Sequence, residues 1–337
     1  MKRLWSNILA FVIVGVLVFF ILKNVDFREL FFYLQFIDPL YILLAIGSCL
    51  SYFFIAAFRL KYLTKNLFKV EYFFLLKVLF AGAFFNTVTP GAGIGGEPFK
   101  AYYLGKKYNQ PKNKFLSILV ADKFFHLIVT AFFLVFSIFF VLVYVKISNN
   151  LKYLFEGVLI FVFVAFGVTT FLILKKLNFN FGAVFKKLYF FKFIKKRFKN
   201  IKDFEKYVNE KINEFSEVFR TLLKSKRNFF VSIFLAFVYW SFEFLASYFV
   251  FLSFGFKINI LSMIIVVSLG IILGTISITP GGIGFVEGLM VLFYSAMGIN
   301  LSLALLVAII SRLIYYFFSL FVGGLIFLYL RHKLKGK

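Results

Sequence analysis

Most charged residues of this chain lie in the connections between apolar runs, and the few within or beside those runs are the candidates for chemistry. Lys77, Glu97, Asp122, Lys123, His126, Glu243, Glu287 and Arg312 all lie within or beside long runs of Phe, Leu, Ile and Val. A charge among lipid tails costs at least roughly 2.5 to 3.5 kcal/mol on insertion scales, so each of these groups must face a partner or a cavity. Glu97 with Lys123 and Glu287 with Arg312 are natural structural ion pairs, and Lys123 and Arg312 together could equally hold an anion. Glu243, in Tyr239-Trp240-Ser241-Phe242-Glu243, fits a helix–helix hydrogen bond more readily than proton coupling. Asp122 and His126 are four residues apart, on one helix face, and are the pair that could do acid–base work. No nucleophile elbow, metal-ligand cluster or Walker loop accompanies them, and His332 sits in a basic tail. Cys49, the one cysteine, lies in an apolar run, which excludes disulfides and a thiolate metal cluster. No cofactor and no catalytic residue is expected.

The second signal is a repeated break. Thr89-Pro90-Gly91 followed by Glu97 matches Thr279-Pro280-Gly281 followed by Glu287, each 190 positions apart, and the same interval sets Asp122 opposite Arg312. Each copy reads as an apolar helix, a Thr-Pro-Gly break, a Gly-rich run, an acid, a short helix and then a long span carrying a charge. Proline lacks the N–H that continues a helix, and glycine permits the turns that follow. Gly91, Gly93, Gly95 and Gly96 in one copy, and Gly281, Gly282 and Gly284 in the other, therefore mark places where backbone amides could meet a phosphate. Unwound backbone at membrane depth is tolerated where it faces protein or water.

The elements that must position these groups follow from composition. The 337 residues are 62% hydrophobic with mean hydropathy +0.93, so the solvent is lipid. Trp5–Leu22, Pro39–Phe58, Phe115–Val145, Tyr153–Leu174, Phe229–Phe254 and Leu303–Leu330 read as full spans of about 20 residues or more. Tyr72–Thr89 and Ile260–Thr279 run into the breaks. Lysine and arginine collect on the cytoplasmic side. If Tyr72–Thr89 crossed fully, Lys100, Lys106, Lys107, Lys112 and Lys114 would fall outside, so it reads as one arm of a hairpin that enters and returns. Arg59, Lys61, Lys65 and Lys69 form a cytoplasmic connection, and Lys77, Lys123 and Arg312 count as buried. Residues 175–228 form a basic amphipathic cytoplasmic loop; Lys175–Arg227 carries sixteen bases and five acids. Its Ile201, Phe204, Val208, Ile212, Phe215, Phe219 and Leu222 share one helix face, which suits a membrane surface rather than nucleic acid.

The whole is read as one integral membrane domain over residues 1–337: all-α and polytopic, with about six transmembrane helices and two broken re-entrant hairpins, or eight spans on the alternative count. Residues 39–145 and 229–330 form two repeats of opposite orientation. Such inverted repeats build transporter sites where broken helices meet at mid-membrane. Both termini are placed in the cytoplasm and the membrane is the plasma (inner) membrane.

At Asn86-Thr87-Val88-Thr89-Pro90-Gly91 through Gly95-Gly96-Glu97-Pro98-Phe99-Lys100, and at Thr279 to Glu287 with Arg312, the chain resembles the lysylphosphatidylglycerol synthase transmembrane, flippase-like family. In two-part members this region is implicated in translocating an aminoacylated phospholipid made by a following transferase domain. The present chain stops seven residues after Leu330, so lysyl transfer is not implied. Similar stand-alone members are linked to varied lipids, isoprenoid and hopanoid types among them. The resulting expectation is a lipid translocase that binds an anionic phospholipid or a polyprenyl-type lipid. Lys123, Arg312, Lys100 and the Gly-rich ends would hold the phosphate. Glu97 and Glu287 would order those ends or bind a cationic substituent. Two other readings stay open: an accessory protein that holds a lipid-synthesis enzyme, and an intramembrane lipid-modifying enzyme acting through Asp122 or His126.

Overall fold

The computed structural model describes residues 23, 25–65, 67–90, 95–144, 148–174, 198, 200–224, 226–275, 277 and 279–334. The regular elements among them are helices: α1 (Phe27–Gln35), α2 (Pro39–Thr64), α3 (Tyr72–Val88), α4 (Gly96–Tyr108), α5 (Lys112–Tyr144), α6 (Asn149–Leu174), α7 (Ile201–Lys224), α8 (Lys226–Ser253), α9 (Ile260–Thr275), α10 (Phe285–Ala296), α11 (Leu301–Tyr316) and α12 (Gly323–Lys333). A π-helical stretch, Phe317–Val322, joins α11 to α12. Four helical elements are long and apolar enough to cross a membrane: α2, α5, α8 from Arg227, and the continuous Leu301–Lys333. They contain four of the expected spans. The fifth lies in α6, and Trp5–Leu22 lies outside the described residues.

Local chemistry sets the helix starts. Asp38 accepts the Leu40 N–H at 2.8 Å, and Pro39 takes the first helical position, where a missing N–H costs nothing. Asn300 caps α11 by accepting from Ser302 and Leu303. Asn109, at φ 50°, ends α4 just before Pro111. Many large apolar side chains on these helices point outward, among them Leu43, Phe132, Phe139, Phe234 and Leu328. That surface suits lipid and would be unfavourable in water.

The arms around the breaks are short. With 17 residues in α3 and 13 in α4, they reach about 26 and 20 Å, less than the ~30 Å hydrocarbon core. They fold back as a hairpin whose mouth is closed by a 2.9 Å hydrogen bond from the Glu71 N–H to the Tyr108 hydroxyl. Glycine allows the close approach: a Cβ on Gly96 would overlap the Gly82 carbonyl oxygen, and the Gly96 N–H donates to Asn86 Oδ1 at 2.6 Å. A Gly96→Ala protein should lose about 1–3 kcal/mol of stability from overpacking, read as a lower unfolding midpoint in detergent. A Gly47→Ala control, with open space around its Cβ, should not. α9 and α10, with 16 and 12 residues, form the second pair of arms.

The two sets of helices correspond. α2, α3, α4 and α5 begin at residues 39, 72, 96 and 112, while α8, α9, α10 and α11 begin at 226, 260, 285 and 301, intervals of 187 to 189. α2 and α8 lie side by side and antiparallel: the Asp38 N–H meets the Ser253 carbonyl at 2.8 Å, Tyr41 stacks near Phe249, and Tyr52 pairs with Tyr239. This equivalent pair thus runs in opposite directions, as an inverted arrangement requires. One arm of each hairpin packs on the other half, α3 on α12 and α9 on α5, while the second arm stays with its own, α4 on α5 and α10 on α11.

Three placements differ from the sequence reading. α2 runs on to Thr64, so Arg59 is completely buried inside the bundle rather than lying in a cytoplasmic connection. Lys77 sits at the hairpin mouth over the Tyr329 ring, not at mid-membrane. The α7 helix docks on α5 and α8 and buries Phe204; the side chains of Ile212, Phe215, Phe219 and Leu222 lie outside the described residues.

Candidate functional site

The tips of the two hairpins touch. Pro90 and Pro280 form an antiparallel bridge, and the Gly281 N–H donates to the Thr89 carbonyl at 3.0 Å. Gly281 has φ +58°, and a Cβ there would come within 2.7 Å of the Thr87 carbonyl oxygen, so only glycine fits the contact. Gly282 and Gly284 also have positive φ. Gly95 lies against the Thr89 side chain, while Gly91 and Gly93 lie outside the described residues. The backbone amides at the second tip are already used. Gly281 donates to Thr89, Gly282 to the Thr279 carbonyl at 3.1 Å, and Gly284 to Glu287 Oε2 at 2.8 Å. The expectation that they face a phosphate is therefore corrected: the turn closes on itself and on the other hairpin. Buried Thr279 is hydrogen-bonded to Ser277.

Arg312 locks this junction. Its Nε donates to Glu287 Oε1 at 2.9 Å, and its Nη2 donates to the Gly281 carbonyl at 2.8 Å and to the Tyr316 hydroxyl at 2.9 Å. The Tyr316 hydroxyl in turn donates to Glu287 Oε1 at 2.7 Å. Glu287 thus orders the start of α10, as the sequence suggested, while balancing Arg312. Five N–H donors are available on a guanidinium; among the described residues, the two on Nη1 have no bond. Tyr315, next along, lies near Thr87 at the other tip, and Glu243 of α8 is an electrostatic neighbour of Arg312.

The first half holds its own cluster. Glu97 Oε1 lies 2.7 Å from Lys100 Nζ and 3.4 Å from Lys123 Nζ. One carboxylate against two ammonium groups leaves a local positive charge. Lys100 is buried with its stem over Gly82, whereas 44% of the Lys123 side chain is exposed, so Lys123 has room for a ligand. Behind them Arg59 meets Asp122. Nη2 donates to Oδ2 at 3.0 Å, and Nε lies 2.8 Å from Oδ1 as a charge contact without hydrogen-bond alignment. The His126 ring also contacts Arg59 Nη2. Asp122 is therefore engaged by Arg59, 3.9 Å from the His126 ring nitrogen, which weakens the acid–base reading. The α2–α5 pair Arg59/Asp122 and the α8–α11 pair Glu243/Arg312 use equivalent helices with the signs exchanged.

The profile of the lysylphosphatidylglycerol synthase TM region matches residues 7–323. The chain belongs to that family. Similar proteins include UPF0104 membrane proteins of three archaea. The one from Methanothermobacter thermautotrophicus is 28% identical, covering 82% of this chain and 81% of the relative. The one from Pyrococcus horikoshii is 30% identical over 77% of each. The one from Methanocaldococcus jannaschii is 29% identical, covering 89% of this chain and 88% of the relative. Family and helices together make this a multi-pass membrane protein.

In this member of the lysylphosphatidylglycerol synthase TM region family, a crevice of about 280 Å³ opens beside the junction. Its walls are Ile283, Val291, Leu305, Ile309 and Leu313, and its polar side chains are Arg312, Glu287 and Tyr316. Ile283, Ile309 and Leu313 are also exposed on the outer surface, so the crevice faces where lipid would lie. Immediately beyond it the helix turns π-helical, a distortion frequent at functional sites, and a Cβ on Gly323 would overlap the Phe80 carbonyl of the first hairpin. Arg59 and Tyr316 are the site residues that sequence reasoning missed. The 190-residue interval, which carries His126 onto Tyr316, could have found the second.

Proposed function

We propose that the protein is a lipid translocase, not an enzyme, that takes an anionic lipid head group to the hairpin junction while the tails stay in the bilayer. Its place is the plasma membrane, with both termini cytoplasmic. The observation that carries this reading is the apolar crevice lined by the Arg312–Glu287–Tyr316 web, which is bonded to the second hairpin tip at Gly281, the residue that in turn meets Thr89 of the first. Apolar walls suit acyl or polyprenyl chains, and a guanidinium with two N–H groups unbonded among the described residues suits a phosphate oxygen. Lys123, on the first half, supplies the second cation. The glycines serve the junction rather than the ligand. Alternating access would come from the two inverted halves rocking about the tips, the π-helical turn beside Gly323 taking up the change.

The reading is tested by native mass spectrometry of gently solubilised protein with identification of the retained lipids, wild type against the double variant Lys123→Ala, Arg312→Ala. Wild type should retain one anionic lipid class at least tenfold above the variant. Equal retention by both proteins, or a set of lipids matching the bulk membrane in both, contradicts the site.

A further inference from the structure

A second cavity, of about 100 Å³, lies at the mouth of the first hairpin, well away from the tips. Lys77 comes from α3, Lys107 from the end of α4, and Lys333 from the end of α12, so three separate helices bring ammonium groups to one hollow. Tyr329 organises two of them: Lys333 Nζ donates to its hydroxyl at 3.0 Å, and Lys77 lies 5.0 Å over its ring. Among the described residues, the one carboxylate in the lining, Glu71, is 3.9 Å from Lys107 with 69% of its side chain exposed. The hollow therefore carries an excess of two positive charges. Phe73, beside it on α3, is 71% exposed, a greasy flank next to a basic pocket.

The duplication provides an internal control. The positions 190 residues away from Glu71, Lys77, Lys107, Tyr329 and Lys333 are Leu261, Val267, Met297, Phe139 and Val143, all apolar. At that mouth Leu261 and Met297 pack into a hydrophobic cluster with α5 and α9 residues. The hairpin fold thus closes its mouth without cations, so the three lysines are not needed to build it. A general bias of basic residues toward the cytoplasm explains lysines near this face, but not their convergence from three helices on one cavity.

We infer that this basic hollow is a binding site for the phosphate group of an anionic phospholipid in the adjacent leaflet, separate from the transport site at the tips. Its occupant ties the mouth of the first hairpin to the C-terminal helix. Zwitterionic lipids are disfavoured because their own cationic group meets the lysines, and a free phosphate shares the chemistry but lacks tails to lie along Phe73.

The test places wild type, the triple variant Lys77→Gln, Lys107→Gln, Lys333→Gln, and Arg312→Gln in nanodiscs of phosphatidylglycerol and phosphatidylcholine, and counts phosphatidylglycerol retained per protein after gentle release. The triple variant should retain one phosphatidylglycerol fewer than wild type, whereas Arg312→Gln keeps that molecule, which separates this site from the transport reading. Equal retention by wild type and triple variant overturns the proposal. Displacement of the lipid by millimolar inorganic phosphate identifies a free phosphate site and overturns the lipid assignment. If the triple variant does not fold, Lys333→Gln alone is compared for thermal stabilisation by phosphatidylglycerol over phosphatidylcholine; a shift equal to that of wild type again overturns it.

Discussion

Replacing Asp122 with alanine should cost about 3–5 kcal/mol of stability, the range for breaking a buried ion pair. Arg59 is fully buried and Asp122 answers its charge through two contacts. With the carboxylate gone, the buried guanidinium keeps its contact with the His126 ring but loses its counter-charge. Arg59 Nη1 is already without a hydrogen-bond partner among the described residues, so little slack remains. The pair is easier to remove together than singly: Arg59→Met with Asp122→Leu should recover most of the loss, since apolar residues of similar volume often match or exceed a buried ion pair. Reversible unfolding in mixed micelles, run as a double-mutant cycle, checks this. Equal and additive losses for the two single changes and the double would show that the pair does not act as a unit.

Arg312→Ala should cost less in folding and far more in transport. Its removal leaves Glu287 with two hydrogen bonds, from the Gly284 N–H and the Tyr316 hydroxyl, so a stability loss of about 1–3 kcal/mol is expected. Transport should fall at least tenfold, because the same change removes the cation at the crevice floor and the bond that holds the Gly281 carbonyl at the junction. Arg312→Lys keeps the charge but not the fork that reaches Glu287, Gly281 and Tyr316 together. Its translocation rate should lie between wild type and Arg312→Ala. A lysine variant no better than alanine would assign the work to the fork geometry rather than the charge.

Much of the architecture was legible because apolar length and the charge bias constrain helices strongly. Pro39–Phe58 and Leu303–Leu330 needed extension at their ends, since helices continue past the hydrocarbon where charged residues permit it. That extension is also why Arg59 was misplaced. It stands beside Lys61 and Lys65 and looks like the start of a basic connection, yet one further turn of α2 carries it into the bundle. Lys77 failed in the other direction: it lies five residues into α3, about 8 Å from the helix start, so a flexible lysine reaches the surface. The pairs suggested by the buried charges, Glu287 with Arg312 and Glu97 with Lys123, both lie within ion-pair distance, but Lys100 stands closer to Glu97 than Lys123 does. That the two breaks meet was legible, because inverted repeats bring broken helices together; that they bond directly to each other, Gly281 to Thr89, was not, because an interval of 190 residues carries no contact geometry. Nor was the fate of the tip amides, since glycine marks a turn without saying whether its N–H faces a ligand or a carbonyl.

The central claim is that an anionic head group crosses the membrane through the junction that Arg312 holds. The most direct measurement is translocation in proteoliposomes, following fluorescent phosphatidylglycerol and phosphatidylcholine under dithionite quenching with wild type, Arg312→Ala and no protein. The account predicts that wild type moves phosphatidylglycerol faster than phosphatidylcholine and that Arg312→Ala falls to within a few fold of empty liposomes. Phosphatidylglycerol movement that is the same with wild type, with Arg312→Ala and without protein would contradict it.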